Sequence, residues 1–171
     1  MPKYEFSELE QDIINFAAVD LWKIASSEEK PIIKLEEIID AIAEFFQIEE
    51  CSLMMKNKAG SFQIAVSKGV SKDTKEGMFV HEGKGIVGVA IQEKKAMFVK
   101  KVGYPTLEDK NYKTENFISY PIIVKGEVKA ILNLNDKIGE RSFRSQDIIA
   151  IEPIADRIKF VLKELEKEKK F

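Results

Sequence analysis

Residues 117–137 read FISYPIIVKGEVKAILNLNDK, and the class of the fold follows from them. Two apolar runs flank Lys125-Gly126, which has the spacing of a two-residue hairpin turn. Counting outward from that turn, Val124 opposes Glu127, Ile122 opposes Lys129, Tyr120 opposes Ile131 and Ile118 opposes Asn133. The remaining residues, Phe117, Ser119, Pro121, Ile123, Val128, Ala130, Leu132 and Leu134, would fill the other face. That second set is almost wholly apolar, as a helix-covered sheet face should be. The first set mixes an aromatic hydroxyl, an amide and aliphatic side chains, which is the composition of a small-molecule pocket wall.

Outward from the hairpin the period changes. From about Ser145, Ile148, Ile151, Ile154, Ala155, Ile158, Val161, Leu162 and Leu165 predict one long helix, whose stripe is long enough to meet a partner helix as well as the core. Upstream, GYPTLEDKNYKTEN at 103–116 has no apolar period and reads as a long loop, a length uncommon unless functional. Before it stand a strand in AMFVKKV, a short helix at about Ile86 to Lys94, the GKG turn and a short strand from Met78 to His81. SKDTKEG is a polar connection. Cys51, Leu53 and Met55, then Phe62, Ile64 and Val66, alternate with polar residues around the NKAG turn, so residues 51–67 form a second hairpin. Two helices precede it. The first has capping-box spacing at Ser7 and Glu10 and an apolar stripe through Ile13, Phe16, Ala17, Leu21 and Ile24; the second starts at Pro31 and carries Leu35, Ile38, Ile39, Ile42, Phe45 and Phe46. Helices at both ends of a hairpin-rich antiparallel sheet predict an α+β domain with the helices on one face.

Composition bounds the function. The chain has 171 residues, 44% hydrophobic and 33% charged, enough for one domain with a sizeable core. Its 27 basic and 29 acidic residues nearly cancel, which removes the electrostatic argument for direct nucleic-acid binding. No apolar run nears the ~20 residues that span a bilayer, and the start lacks the plan of a signal peptide, so a cytoplasmic protein is expected. With 24 lysines and 21 glutamates against five glutamines and six asparagines, the composition resembles that of hyperthermophile proteins.

Single cysteine and histidine residues restrict the chemistry. Cys51 alone cannot build a zinc site or a two-cysteine redox cycle, and it shares a strand face with Leu53, so it reads as a buried small hydrophobe. His81 has no second histidine and reads as an ordinary half-exposed residue. Gly83, Gly85 and Gly88 satisfy Gly-x-Gly-x-x-Gly with Glu108 twenty residues on, but the neighbouring elements are hairpins and Glu108 falls in a polar loop, against a dinucleotide fold. A tight strand-to-helix turn is the simpler reading, with an anion site at the free amides as the alternative. Lys84 lacks the glycine and hydroxyl residue of a P-loop.

GKGIVGVAIQEKKAMFV, FISYPIIVKGEVKAILNLNDK and FRSQDIIAIEPIADRI, taken in order, resemble the GAF domain family of small sensory domains, with residues 31–70 compatible. The resemblance implies a GAF core at 31–144, an N-terminal helix and connection at 1–30, and an exit helix at 145–171. Asn135, Lys137, Phe143 and Asp147 would fill four places of the family's Asn-Lys-Phe-Asp-Glu signature, with Asp136 intervening and Ile148 in place of the acid. In the family the pocket lies on the sheet face away from the terminal helices, beneath a loop. The implied ligand-binding residues are Ile118, Tyr120, Ile131 and Asn133, with Tyr104 and Tyr112 as lid residues and Gly83 and Gly85 at the turn. Cyclic nucleotides and 2-oxoacids are among the ligands such a fold hosts. Dimerisation through terminal helices would use Ile13, Leu21, Ile154, Ile158, Val161 and Leu165. The expected function is therefore a non-catalytic, homodimeric sensor that relays ligand state to an output domain or signalling partner in signal transduction or transcription regulation. The alternatives are a ligandless dimerisation module and, third, a methionine sulfoxide reductase of the kind some GAF proteins are.

Overall fold

The structure, a computed structural model, describes residues 8–99, 117–137 and 145–168. In chain order the elements are α1 (Glu8–Asn15), a π-helical turn (Phe16–Leu21), α2 (Trp22–Ala25), α3 (Pro31–Phe46), β1 (Ile48–Lys56), β2 (Phe62–Lys68), α4 (Lys72–Gly77), β3 (Phe79–Val80), α5 (Gly85–Glu93), β4 (Met97–Val99), β5 (Phe117–Val124), β6 (Glu127–Lys137) and α6 (Ser145–Glu168). They divide into two compact units, Met1–Ile38 with Arg144–Phe171, and Ile39–Phe143. The class is α+β.

In the first unit the terminal helices bury their stripes within one chain. Ile13, Leu21, Ile154, Ile158 and Val161 are fully inaccessible, so these expected dimer contacts are core residues; Leu165 is half-buried. Among the described residues of this unit, the large apolar side chains left exposed are Val19, Trp22, Ile32, Ile149 and Phe160. The first helix runs from Glu8 to Ala25 without a break, as expected, but not as a uniform α-helix. Its middle widens into the π-helical turn, and Arg157 Nε of α6 donates to the carbonyl of Ala17 there at 3.1 Å while its guanidinium lies 4.7 Å from the Trp22 ring centre. Phe160 meets Trp22 edge-on at 5.2 Å. Lys34, buried, donates from Nζ to the carbonyl of Ala25 at the end of α2 and to Glu164 Oε2 of α6, both at 2.9 Å.

The second unit is built on a six-stranded sheet in the order β3-β2-β1-β6-β5-β4, every pair antiparallel. The Lys125-Gly126 turn forms as expected, with φ of 53° and 78°, the left-handed pair of a type I′ hairpin. The register beyond it does not. Ile123 pairs with Val128 but Ile122 with Ala130, so Lys129 is an extra residue and everything beyond it shifts by one. Ser119, not Ile118, faces Asn133, and Pro121, not Tyr120, faces Ile131. A second bulge at Ala65 pairs Ile64 with Met54 but Val66 with Leu53, which sends Val66 to the face opposite Ile64.

Cross-strand pairing then places three rows on one face: Glu50–Asn135–Phe117, Ser52–Asn133–Ser119 and Met54–Ile131–Pro121. Below them, Val87 and Ile91 of α5 complete a core with Met54, Phe62, Ile64, Val80, Phe117, Val128 and Ile131. Cys51, Leu53, Ile118, Ile122, Leu132 and Leu134 occupy the other face, all buried. The connection expected as polar loop carries α4, whose first turn is capped by Ser71 Oγ accepting from the Thr74 amide at 3.2 Å. Gly69 is demanded by packing, since a Cβ there would stand 1.8 Å from the carbonyl oxygen of Glu49.

Candidate functional site

Beside the apolar core of α5 the same sheet face turns polar. Its floor is made by Glu50 and Ser52 of β1 and by Asn133 and Asn135 of β6, and its walls by Ile64 of β2 with Val70, Thr74 and Met78 along the β2–β3 connection. Together they line a partly open cleft of about 30 Å³, enough to seat an ammonium-sized head while the rest of a ligand lies along the walls towards solvent. Polar residues can occupy the centre of a sheet here because neighbouring strands supply partners. Asn135 Nδ2 donates to Glu50 Oε2 at 2.7 Å, and Asn133 Nδ2 to Ser52 Oγ at 3.4 Å.

The satisfaction is incomplete. Asn133 is 3% exposed and Ser119 fully inaccessible, yet Asn133 Oδ1 and Ser119 Oγ have no hydrogen-bond partner among the described residues. Two orphaned polar atoms side by side in one cross-strand pair are unusual, because each unmade bond costs about 1–3 kcal/mol.

Of the residues expected in the pocket, Asn133 lines the cleft. Ile131 lies on the same face but is sealed into the α5 core, while the bulge carries Ile118 and Tyr120 to the opposite face. Gly83 and Gly85 adopt φ of 82° and 69°, but the Gly83 amide donates to the Gly88 carbonyl at 2.8 Å and the Lys84 amide to His81 at 3.2 Å. Those amides serve the turn. Gly88 is packed for the same reason, since a Cβ would lie 2.4 Å from the His81 carbonyl oxygen. Tyr104, Tyr112 and Phe143 lie outside the described residues, as do the side chains of Lys137 and Asp147. Asn135 of the signature joins the cleft directly. Glu50 and Ser52 are not legible as site residues in the sequence, since only the β1–β6 pairing brings them to this face; the bulge brings Ser119 to the same face, beside Asn133.

Cys51 points away from the cleft and is fully inaccessible; burial, with a smaller contribution from the Asp40 carboxylate, pushes its thiol far above the ordinary range. His81 is exposed, and the described residues contain no group of three His, Cys, Asp or Glu able to hold a metal. No described helix is long and apolar enough to cross a membrane.

Comparison with known proteins agrees with this architecture. The family model for the GAF domain matches residues 33–162. Among solved structures, the GAF domain of a phosphoenolpyruvate-protein phosphotransferase from Acinetobacter is 14% identical, with a TM-score of 0.70 over 92% of this chain and 95% of that one. The GAF domain of A. aeolicus nlh2, in an inactive state, is 19% identical with a TM-score of 0.70 over 91% and 96%. Free methionine-R-sulfoxide reductase from Neisseria meningitidis, in complex with its substrate, is 12% identical with a TM-score of 0.73 over 96% and 98%. At these identities the likeness is one of fold. No curated protein sequence matches the chain significantly. With the family model spanning most of its length, and with a curled antiparallel sheet that solved GAF domains share, the chain belongs to the GAF domain family.

Proposed function

We propose that this chain is a non-catalytic regulatory domain that senses a small molecule in the cleft floored by Glu50, Ser52, Asn133 and Asn135, and relays its presence through the terminal helices. The observation that carries the reading is Asn133, a residue of that cleft's floor whose buried Oδ1 has no partner among the described residues. A fold tolerates such a group where a ligand or water completes its bonds. GAF membership supports a sensory role, and the helix α3 supports a relay, because its residues Pro31–Ile38 belong to the unit of the terminal helices and Ile39–Phe46 to the unit of the sheet. A ligand drives that relay only by its differential affinity for two helical arrangements. The domain acts in the cytoplasm as a homodimer, with exposed Val19, Trp22 and Phe160 as contacts in place of the buried stripe residues, and its output lies in a further domain or partner protein.

The likeness to sulfoxide reductases suggests an enzyme as the second reading. It is disfavoured because a reductase of this kind needs a thiolate nucleophile, whereas Cys51 is inaccessible and held protonated by its surroundings. Hydrogen exchange tests the sensor: protein as purified is compared with protein unfolded, dialysed free of small molecules and refolded. The expected result is faster exchange in β6 and α6 of the stripped protein; identical exchange in both would count against a ligand-coupled relay.

A further inference from the structure

The chemistry of the cleft walls restricts what enters. Among the described residues, Glu50 contributes a carboxylate of which one oxygen accepts from Asn135, leaving further lone pairs for a ligand, and Asn133 contributes a second acceptor with nothing to accept from. The lining among the described residues contains no Lys, Arg or His. The cleft therefore offers one negative charge and a surplus of acceptors. A carboxylate or phosphate head would meet Glu50 with no cation to offset it, and in a half-buried setting that repulsion is screened less than in water. A head that brings several N–H donors and a positive charge satisfies both residues at once. Ile64, Val70 and Met78 offer that head an apolar surface for its body.

We propose that the cleft takes a small organic cation, a primary alkylammonium, whose N–H groups meet the Glu50 carboxylate and Asn133 Oδ1 and whose alkyl chain lies along Ile64, Val70 and Met78. The proposal rests on the reading of this cleft as the sensing site and names the chemical class of what it senses. The cyclic nucleotides and 2-oxoacids implied by the family resemblance carry the wrong charge for it.

The test titrates three probes of equal length, n-butylammonium, n-butanol and butyrate, into ¹⁵N-labelled protein, and follows the side-chain amide signals of Asn133 and Asn135. Butylammonium is expected to shift both signals, butanol to do so only at much higher concentration, and butyrate not at all. Glu50→Gln, which keeps the shape and an acceptor for Asn135, is expected to weaken butylammonium roughly tenfold while leaving butanol unchanged. Binding of butyrate at these signals would overturn the cationic class and leave the sensing cleft standing. Butylammonium binding that is indifferent to Glu50→Gln would do the same. If no probe moves either signal, the cleft holds a water and the proposal fails; the sensing reading fails with it only if the protein as purified also retains no small molecule.

Discussion

At Asn133 a carboxamide oxygen is buried without a partner among the described residues, next to a serine hydroxyl in the same condition. Stability alone would favour an apolar residue there, so Asn133→Leu should fold and gain about 1 kcal/mol in urea unfolding while losing ligand response. A loss of stability would instead mean that the amide is structural. Glycine positions give a sharper contrast. Gly69→Ala drives a Cβ into the Glu49 carbonyl and should cost about 3 kcal/mol, whereas Gly60→Ala, at φ 87° with open space around it, should cost about 1 kcal/mol. Paired denaturation curves decide this. Cys51 supplies a pH prediction. Its folded pKa is raised, so the unfolded thiol ionises first, above its ordinary value of about 9, and stability falls as pH rises beyond that point. Wild type should therefore lose up to ~1.4 kcal/mol per pH unit more than Cys51→Ala in alkaline solution. Parallel slopes would contradict it.

Elements were legible where a local signal fixed them. The Lys125-Gly126 turn, the Pro31 helix start and the helix after GKG follow from turn chemistry and periodicity, and all three are present. The two bulges were not, because nothing in KAIL or QIAV distinguishes an extra residue from a paired one; the choice lies with neighbouring strands. One residue of slip is enough to exchange Ile118 and Tyr120 for Phe117 and Ser119 in the cleft face, so Asn133 was identified and its neighbours were misassigned. The stripes of α1 and α6 are apolar as their periodicity indicates, but periodicity reports an apolar face without saying what covers it, and here Ile13, Leu21, Ile154, Ile158 and Val161 are covered within the chain. α6 is held by Lys34 through Glu164 as well as by its stripe. Lys34→Met leaves the Ala25 carbonyl and the Glu164 carboxylate without it and should cost about 2 kcal/mol, less than a fully buried pair because Glu164 remains 33% exposed. Thermal unfolding checks this, and an unchanged midpoint would show that the pair does not anchor the helix.

In the whole molecule α3 belongs to both units, Pro31–Ile38 to that of the terminal helices and Ile39–Phe46 to that of the sheet and its cleft. In the proposed function the protein, as a dimer, holds a small molecule against Asn133. A native mass spectrum of gently purified protein tests this most directly, with Asn133→Leu measured beside the wild type. The expected result is a dimer carrying extra mass that collisional activation releases, and a bare dimer for the variant. Bare polypeptide mass in both, or extra mass retained equally by the variant, would contradict it.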